Sequence, residues 1–130
     1  MIFGIGTDIV ETKRIAEAVN RHGTHFSDYI LTEWEQAESE RHSDKIQFIA
    51  SRWAAKEAVA KALGCGFGAH CAWRDIEIRH SSSGAPVVSL SGHGLETMRS
   101  LGIARILISI SHEHSCSVAF AVAEKESNQQ

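Results

Sequence analysis

The sequence predicts an α+β protein in which a mainly antiparallel sheet packs on one long central helix. Three observations carry that expectation. Lys45 to Leu63 reads KIQFIASRWAAKEAVAKAL, an Ala-rich run with helical spacing of its large apolar residues. Apolar, β-branched segments stand near both ends of the chain, Ile2 to Val10 and Ala104 to Ala123, the second broken by a polar turn. Helices and hairpins alternate irregularly, with no internal repeat and no linker.

In chain order, Ile2 to Val10 reads as a buried strand. Lys13 to Arg21 places Ile15, Ala18 and Val19 at helical spacing, which gives a short amphipathic helix with a basic side, stopped at Gly23. Thr32-Glu33-Trp34-Glu35 is a capping box that opens a helix to about Arg41. Its carboxylates Glu33, Glu35, Glu38 and Glu40 read as a solvated acidic face. Ser43 or Asp44 caps the long helix, and Gly64 stops it. The loop Gly64-Cys65-Gly66-Phe67-Gly68 follows with no strand before it and no helix after it, so it is not a dinucleotide or P-loop fingerprint.

Trp73 to Arg79 and Val87 to Leu90 make a hairpin around the turn cluster Ser81 to Pro86. Gly92 to Leu101 carries Leu95, Met98 and Leu101 on one helical face, and Gly102 ends it. Ala104 to Ser111 and Cys116 to Ala123 are strands around His112-Glu113-His114-Ser115. Residues 1–124 are expected to form one domain, with a polar tail beyond them.

The 130 residues suffice for a core without disulfides, and a formal net charge of -3 argues against a general nucleic-acid binder. One basic cluster stands near the N-terminus, Lys13, Arg14 and Arg21, with His22 and His25 nearby. Cys65, Cys71 and Cys116 are odd in number and form no C-x-x-C pair, which fits a reducing cytoplasm. No signal-peptide pattern follows Met1, and no apolar run has the length of a membrane span. The eight histidines match neither H-E-x-x-H nor zinc-finger spacing.

One residue breaks the hydrophobic pattern. Glu57 projects between Ala50 and Trp53, on the arc that also holds Ile46 and Ile49. A carboxylate there needs a cation, a metal or a solvent-filled cleft. Lys61 follows at the favourable i, i+4 spacing, so an ordinary helix ion pair accounts for Glu57 as well as a functional role does.

Four segments in order carry more information than any one alone: GIGTDIVETKRI, RWAAKEAVAKALG, IEIRHSSSGAPVVSLSG and SISHEHSCSVAFAV. Together they span most of the chain and resemble the holo-acyl-carrier-protein synthase family of 4′-phosphopantetheinyl transferases, in its small single-domain branch. The resemblance implies that fold and a transfer reaction: a serine of apo acyl carrier protein takes 4′-phosphopantetheine from coenzyme A, and adenosine 3′,5′-bisphosphate leaves. It places the chain in fatty acid biosynthesis. It further implies that Asp8 and Glu57 hold Mg²⁺, a pairing that suits an ion usually bound by one or two carboxylates. Lys61 becomes a phosphate contact, and Glu57 a candidate base. Arg52, Gly84, Pro86 and His112 become coenzyme A contacts, and Lys13, Arg14 and Arg21 a docking face for the acidic carrier. The family also implies a homotrimer with sites between subunits. The serine-rich tip HSSSGAP and the Glu113-His114 pair depart from the family pattern. Two rival readings of the same residues are a Mg²⁺-dependent coenzyme A or nucleotide pyrophosphatase and a noncatalytic carrier-binding module.

Overall fold

A computed structural model describes residues 1–127. Strand β1 (Ile2–Glu11) leads into helix α1 (Thr12–His22), which Gly23 ends at φ 61°. Helices α2 (Thr24–Ile30), α3 (Glu33–Arg41) and α4 (Lys45–Leu63) follow. A 3-10 turn over Trp73–Asp75 precedes the hairpin β2 (Ile76–His80) and β3 (Pro86–Leu90). Helix α5 (Gly92–Ser100) and strands β4 (Ile103–His112) and β5 (Cys116–Lys125) complete the order.

The α+β architecture and its antiparallel pairing are as the sequence implies, but the strands form two sheets. One has the order β1-β5-β4, and the hairpin β2–β3 stands apart as a second sheet. Three further differences have local causes. Helix α2 was not anticipated, because it is short, has no side-chain cap and buries only Ile30. The segment expected as one strand from Trp73 begins instead with a 3-10 turn, in which Asp75 Oδ2 accepts the Ala72 amide at 3.0 Å. The final strand runs on through Glu124 and Lys125, since Glu124 pairs with both Ile2 and Arg105. Residues 128–130 of the expected tail lie outside the described residues.

Small residues decide how α4 meets the large sheet. The inward face of β5 is Ser117, Ala119, Ala121 and Ala123, all buried, and α4 answers with buried Ala54, Ala55, Ala58 and Ala62. β1 comes closer still. A Cβ on Gly6 would stand 2.0 Å from the Ala58 carbonyl oxygen, and one on Gly4 would stand 2.4 Å from that of Ala62. The glycines of Gly4-Ile5-Gly6 are therefore required by helix–strand packing.

With the small face of β5 turned inward, the large apolar residues of β5 point out, whereas β1 and β4 also send Val10, Ile103 and Ile106 into the core. Ile5, Val122 and Leu107 lie in one row across the three strands, and Phe120 and Val118 lie beside them. Ile5 is 59% exposed, Ile9 66%, Leu107 47% and Phe120 44%. A contiguous apolar face of this kind marks an interaction surface.

The other side of α4 is held by charge. Glu35, expected on a solvated face, is fully buried and corrects that reading. The capping box does form: Thr32 Oγ1 accepts the Glu35 amide at 3.2 Å, and Glu35 Oε1 accepts the Thr32 amide at 2.9 Å. Reaching back in this way carries the Glu35 carboxylate inward. Its Oε1 also accepts from Lys56 Nζ at 2.6 Å, and its Oε2 accepts the Ile78 amide of β2 at 3.0 Å. Lys56, with no exposed surface, donates further to the carbonyls of Ile30 at 2.7 Å and Trp73 at 3.3 Å. All three ammonium protons thus have partners, the condition for keeping a lysine charged in a core.

Gly6→Ala tests the packing claim. The added methyl meets helix backbone, which cannot turn aside, so we expect a loss of about 3 kcal/mol in urea unfolding. A cost below about 1 kcal/mol means that β1 does not sit this close to α4.

Candidate active site

The residues singled out in the sequence separate into two clusters on opposite flanks of α4. At 100° per residue, Arg52 and Lys61 project roughly 180° apart around the helix. Asp8 and its neighbours lie on the β1 edge of the sheet, whereas the Arg52 group lies on the β4 edge.

On the β1 flank, Asp8 is half-buried and Glu57 is half-buried beside it, on the side of α4 that opens toward solvent. Lys61 Nζ donates to the Thr7 carbonyl at 2.9 Å and meets Asp8 Oδ1 at 3.3 Å. Among the described residues Glu57 has no ion pair, so the helix pair with Lys61 suggested by the spacing gives way to a bridge from α4 to β1. Asp8 Oδ2 is buried and has no hydrogen-bond partner among the described residues. Burial raises the Glu57 pKa, the charge of Asp8 raises it further, and Lys61 opposes both. Two carboxylates stand together here with the lysine paired to Asp8 alone, and an Asp8 oxygen is left unpaired between strand and helix. That donor set fits a hard divalent cation, which takes oxygen ligands and needs negative charge.

On the β4 flank, Arg52, Gly84, Pro86 and His112 come together. They line one cavity of about 230 Å³, together with His42, Gln47, Phe48, Ser51, His80 and Ile110. Gly84 turns the hairpin at φ 90°, a conformation that suits glycine. The Arg52 side chain is almost wholly buried, its guanidinium 4.3 Å from the centre of the Phe48 ring. Burial lowers its pKa, while Glu35 and Glu38 hold it up. Burial also lowers the His80 pKa, and the Arg52 and His42 charges lower it further. The cavity is therefore cationic at its base and lined by three histidines at its mouth, suited to an anion.

Lys13, Arg14 and Arg21 are exposed along α1, which follows directly from the strand carrying Asp8. Sequence reasoning missed His42 and His80 as cavity residues, missed Lys56, and placed the Glu35 carboxylate on a solvated face. A lysine within the Ala-rich run Ala54 to Ala60 was the available signal, since a helix face of alanines is a buried face.

Residues 4–120 match the family model described as the 4′-phosphopantetheinyl transferase superfamily, and the chain belongs to that family. Within it, the chain is 42% identical over 127 residues to the holo-[acyl-carrier-protein] synthase of Hydrogenovibrio crunogenus, covering 98% of this chain and 100% of that one. The enzyme of the same name from Ruminiclostridium cellulolyticum is 47% identical over 120 residues, covering 91% and 89%. The crystal structure of the Neisseria meningitidis synthase superposes with a TM-score of 0.92 at 39% identity, covering 96% of this chain and all of that one. The Bacillus anthracis synthase, solved in complex with CoA (3′,5′-ADP), has a TM-score of 0.82 at 34% identity and covers 97% and 99%.

The raised Glu57 pKa has a consequence for the metal-free protein. The folded state holds the Glu57 proton more tightly than the unfolded chain, whose pKa is near the ordinary 4.5. Stability present below pH 4.5 is then lost as pH rises through the folded value. Glu57→Gln removes that loss. With chelator present, we expect the Tm of Glu57→Gln to gain on the native protein as pH rises from about 4 to 7. A Tm difference that does not change with pH contradicts the shift.

Proposed function

We propose that this protein transfers 4′-phosphopantetheine from coenzyme A to a serine of apo acyl carrier protein, in support of fatty acid biosynthesis. The observation that carries the reading is the pair of clusters on α4: a cationic cavity suited to a nucleotide phosphate and a carboxylate pair suited to a divalent cation. The family and the named synthases support the same reaction.

In this reading Arg52, Gly84, Pro86 and His112 hold the nucleotide end of coenzyme A. Asp8 and Glu57 hold Mg²⁺, which when bound supplies charge neutralisation at the pyrophosphate. Lys61 releases Asp8 and turns its ammonium to the phosphates, acting as a point charge. Glu57, whose pKa is raised by burial and by the charge of Asp8, accepts the serine proton. The serine Oγ bonds to the phosphorus bearing pantetheine, the P–O bond to adenosine 3′,5′-bisphosphate breaks, and that product leaves with the electron pair. Lys13, Arg14 and Arg21 attract the acidic carrier and orient it toward Asp8, raising the association rate more than the affinity.

We further propose a homotrimer with its sites between subunits. The two clusters lie on opposite flanks of α4 and face opposite edges of one sheet, so a neighbour's β1 flank can complete the β4 flank of this chain. Such head-to-tail contacts close into a ring by rotation. The apolar outer face around Phe120 supplies a surface for that contact. The three free cysteines fit a cytoplasmic location.

The test is to incubate the protein with coenzyme A, Mg²⁺ and apo carrier, then weigh the carrier by mass spectrometry. We expect one added phosphopantetheine, and a loss of about 100-fold or more in turnover for Asp8→Asn and for Glu57→Gln. Release of free phosphopantetheine without carrier modification identifies a pyrophosphatase. Binding of the carrier without either product identifies a noncatalytic module.

A further inference from the structure

Arg52 stands in an unusual position for a cation that must bind an anion. It is almost wholly buried, yet among the described residues its Nε has no hydrogen bond, although Glu35 Oε2 lies only 3.5 Å away. An isolated Arg and carboxylate at that range ordinarily close into a bidentate pair. Here the carboxylate is already engaged. Three of the roughly four lone-pair positions of the carboxylate are taken. Glu35 Oε1 accepts from Lys56 and from the Thr32 amide, and Oε2 accepts from the Ile78 amide. The shortest of these contacts is the one to Lys56, at 2.6 Å.

Charge counting leads to the same point. Among the buried side chains Glu35, Lys56 and Arg52 meet as one anion and two cations. The half-buried Glu38 and Glu77 at their edge are each paired with another arginine, Arg41 and Arg79. Lys56 cannot turn elsewhere, because its other protons are given to the Ile30 and Trp73 carbonyls. It neutralises Glu35, and the surplus positive charge falls on Arg52, the one of the two cations that lines the cavity.

We propose that Lys56, which never touches substrate, sets the affinity for coenzyme A by occupying Glu35, so that Arg52 keeps its charge for a nucleotide phosphate. Lys56 and Glu35 are positioning residues in this scheme, acting through Arg52. The inference rests on assigning the Arg52 cavity to coenzyme A.

Lys56→Met tests it. This change leaves Glu35 with Arg52 as a ready counter-ion, and the carboxylate captures the guanidinium. We expect the KM for coenzyme A to rise about tenfold with kcat within about twofold of native. A lysine that merely supports the fold moves the other way: a smaller folded fraction lowers apparent kcat and leaves KM alone. Glu35→Gln combined with Lys56→Met removes the captor as well, and a Gln–Met pair is a tolerable neutral replacement for a buried ion pair. We expect that double variant to bring KM back to within about twofold of native. A native KM in Lys56→Met, or a raised KM in the double variant, overturns the proposal. Should Lys56→Met not fold, the double variant decides by the same criterion. Arg52→Met separates the two layers. If it leaves KM unchanged, the cavity assignment fails; if it raises KM while Lys56→Met does not, only the role of Lys56 fails.

Discussion

The Glu35 carboxylate, buried and shared among the Thr32 amide, the Ile78 amide and the Lys56 ammonium, fixes where α4 lies relative to α3 and the β2–β3 hairpin. Removing one partner of such a buried pair typically costs about 3–5 kcal/mol, a large share of a small protein's stability. Through Ile78 the carboxylate ties down the hairpin whose far end brings Gly84 and Pro86 to the cavity. Lys56, holding the Ile30 and Trp73 carbonyls, pins α2 and the 3-10 turn to the same helix. On the opposite side no charge is needed: Gly4 and Gly6 let β1 close onto the α4 backbone, which sets Asp8 within reach of Lys61.

Seated in this way, α4 acts as a wall between two half-sites. Its alanines fill the contact with β5, so no ligand passes across the sheet beneath it. In the proposed ring, this helix would present the Arg52 flank to one neighbour and the Asp8–Glu57 flank to the other. The outward turn of Phe120 and Val122 is part of the same arrangement. A helix faced with alanine demands a sheet faced with alanine, and the large side chains of β5 are left for another surface.

Much of this was legible in the sequence. The length of α4, its Asp44 cap and its Gly64 stop follow from local chemistry, and so does the capping box at Thr32. Asp8, Glu57, Arg52 and His112 were marked by motif, and the structure gathers them as two groups. What could not be read was three-dimensional. Glu35 looked like its exposed neighbours Glu33 and Glu40, because burial is set by what packs against a helix and not by composition. Lys56 was overlooked beside Glu57, although the lysine is the fully buried charge and the glutamate borders solvent. The exposed face of β5 was hidden for a related reason, since a periodic pattern does not say which of two apolar faces turns inward.

The claim that one catalytic site draws on two chains is tested most directly by subunit mixing. Asp8→Asn chains lack the metal flank, and Arg52→Met chains lack the nucleotide flank. Each alone is expected to be nearly inactive at low coenzyme A. Co-expressed in equal amounts, they assemble sites in which the Arg52 of one chain faces the Asp8 of its neighbour. Random mixing then restores about one quarter of native activity, because each site needs an intact flank from each of two chains. Activity that stays at the level of the separate variants, in oligomers shown to contain both chains, contradicts a shared site and places the whole reaction within one subunit.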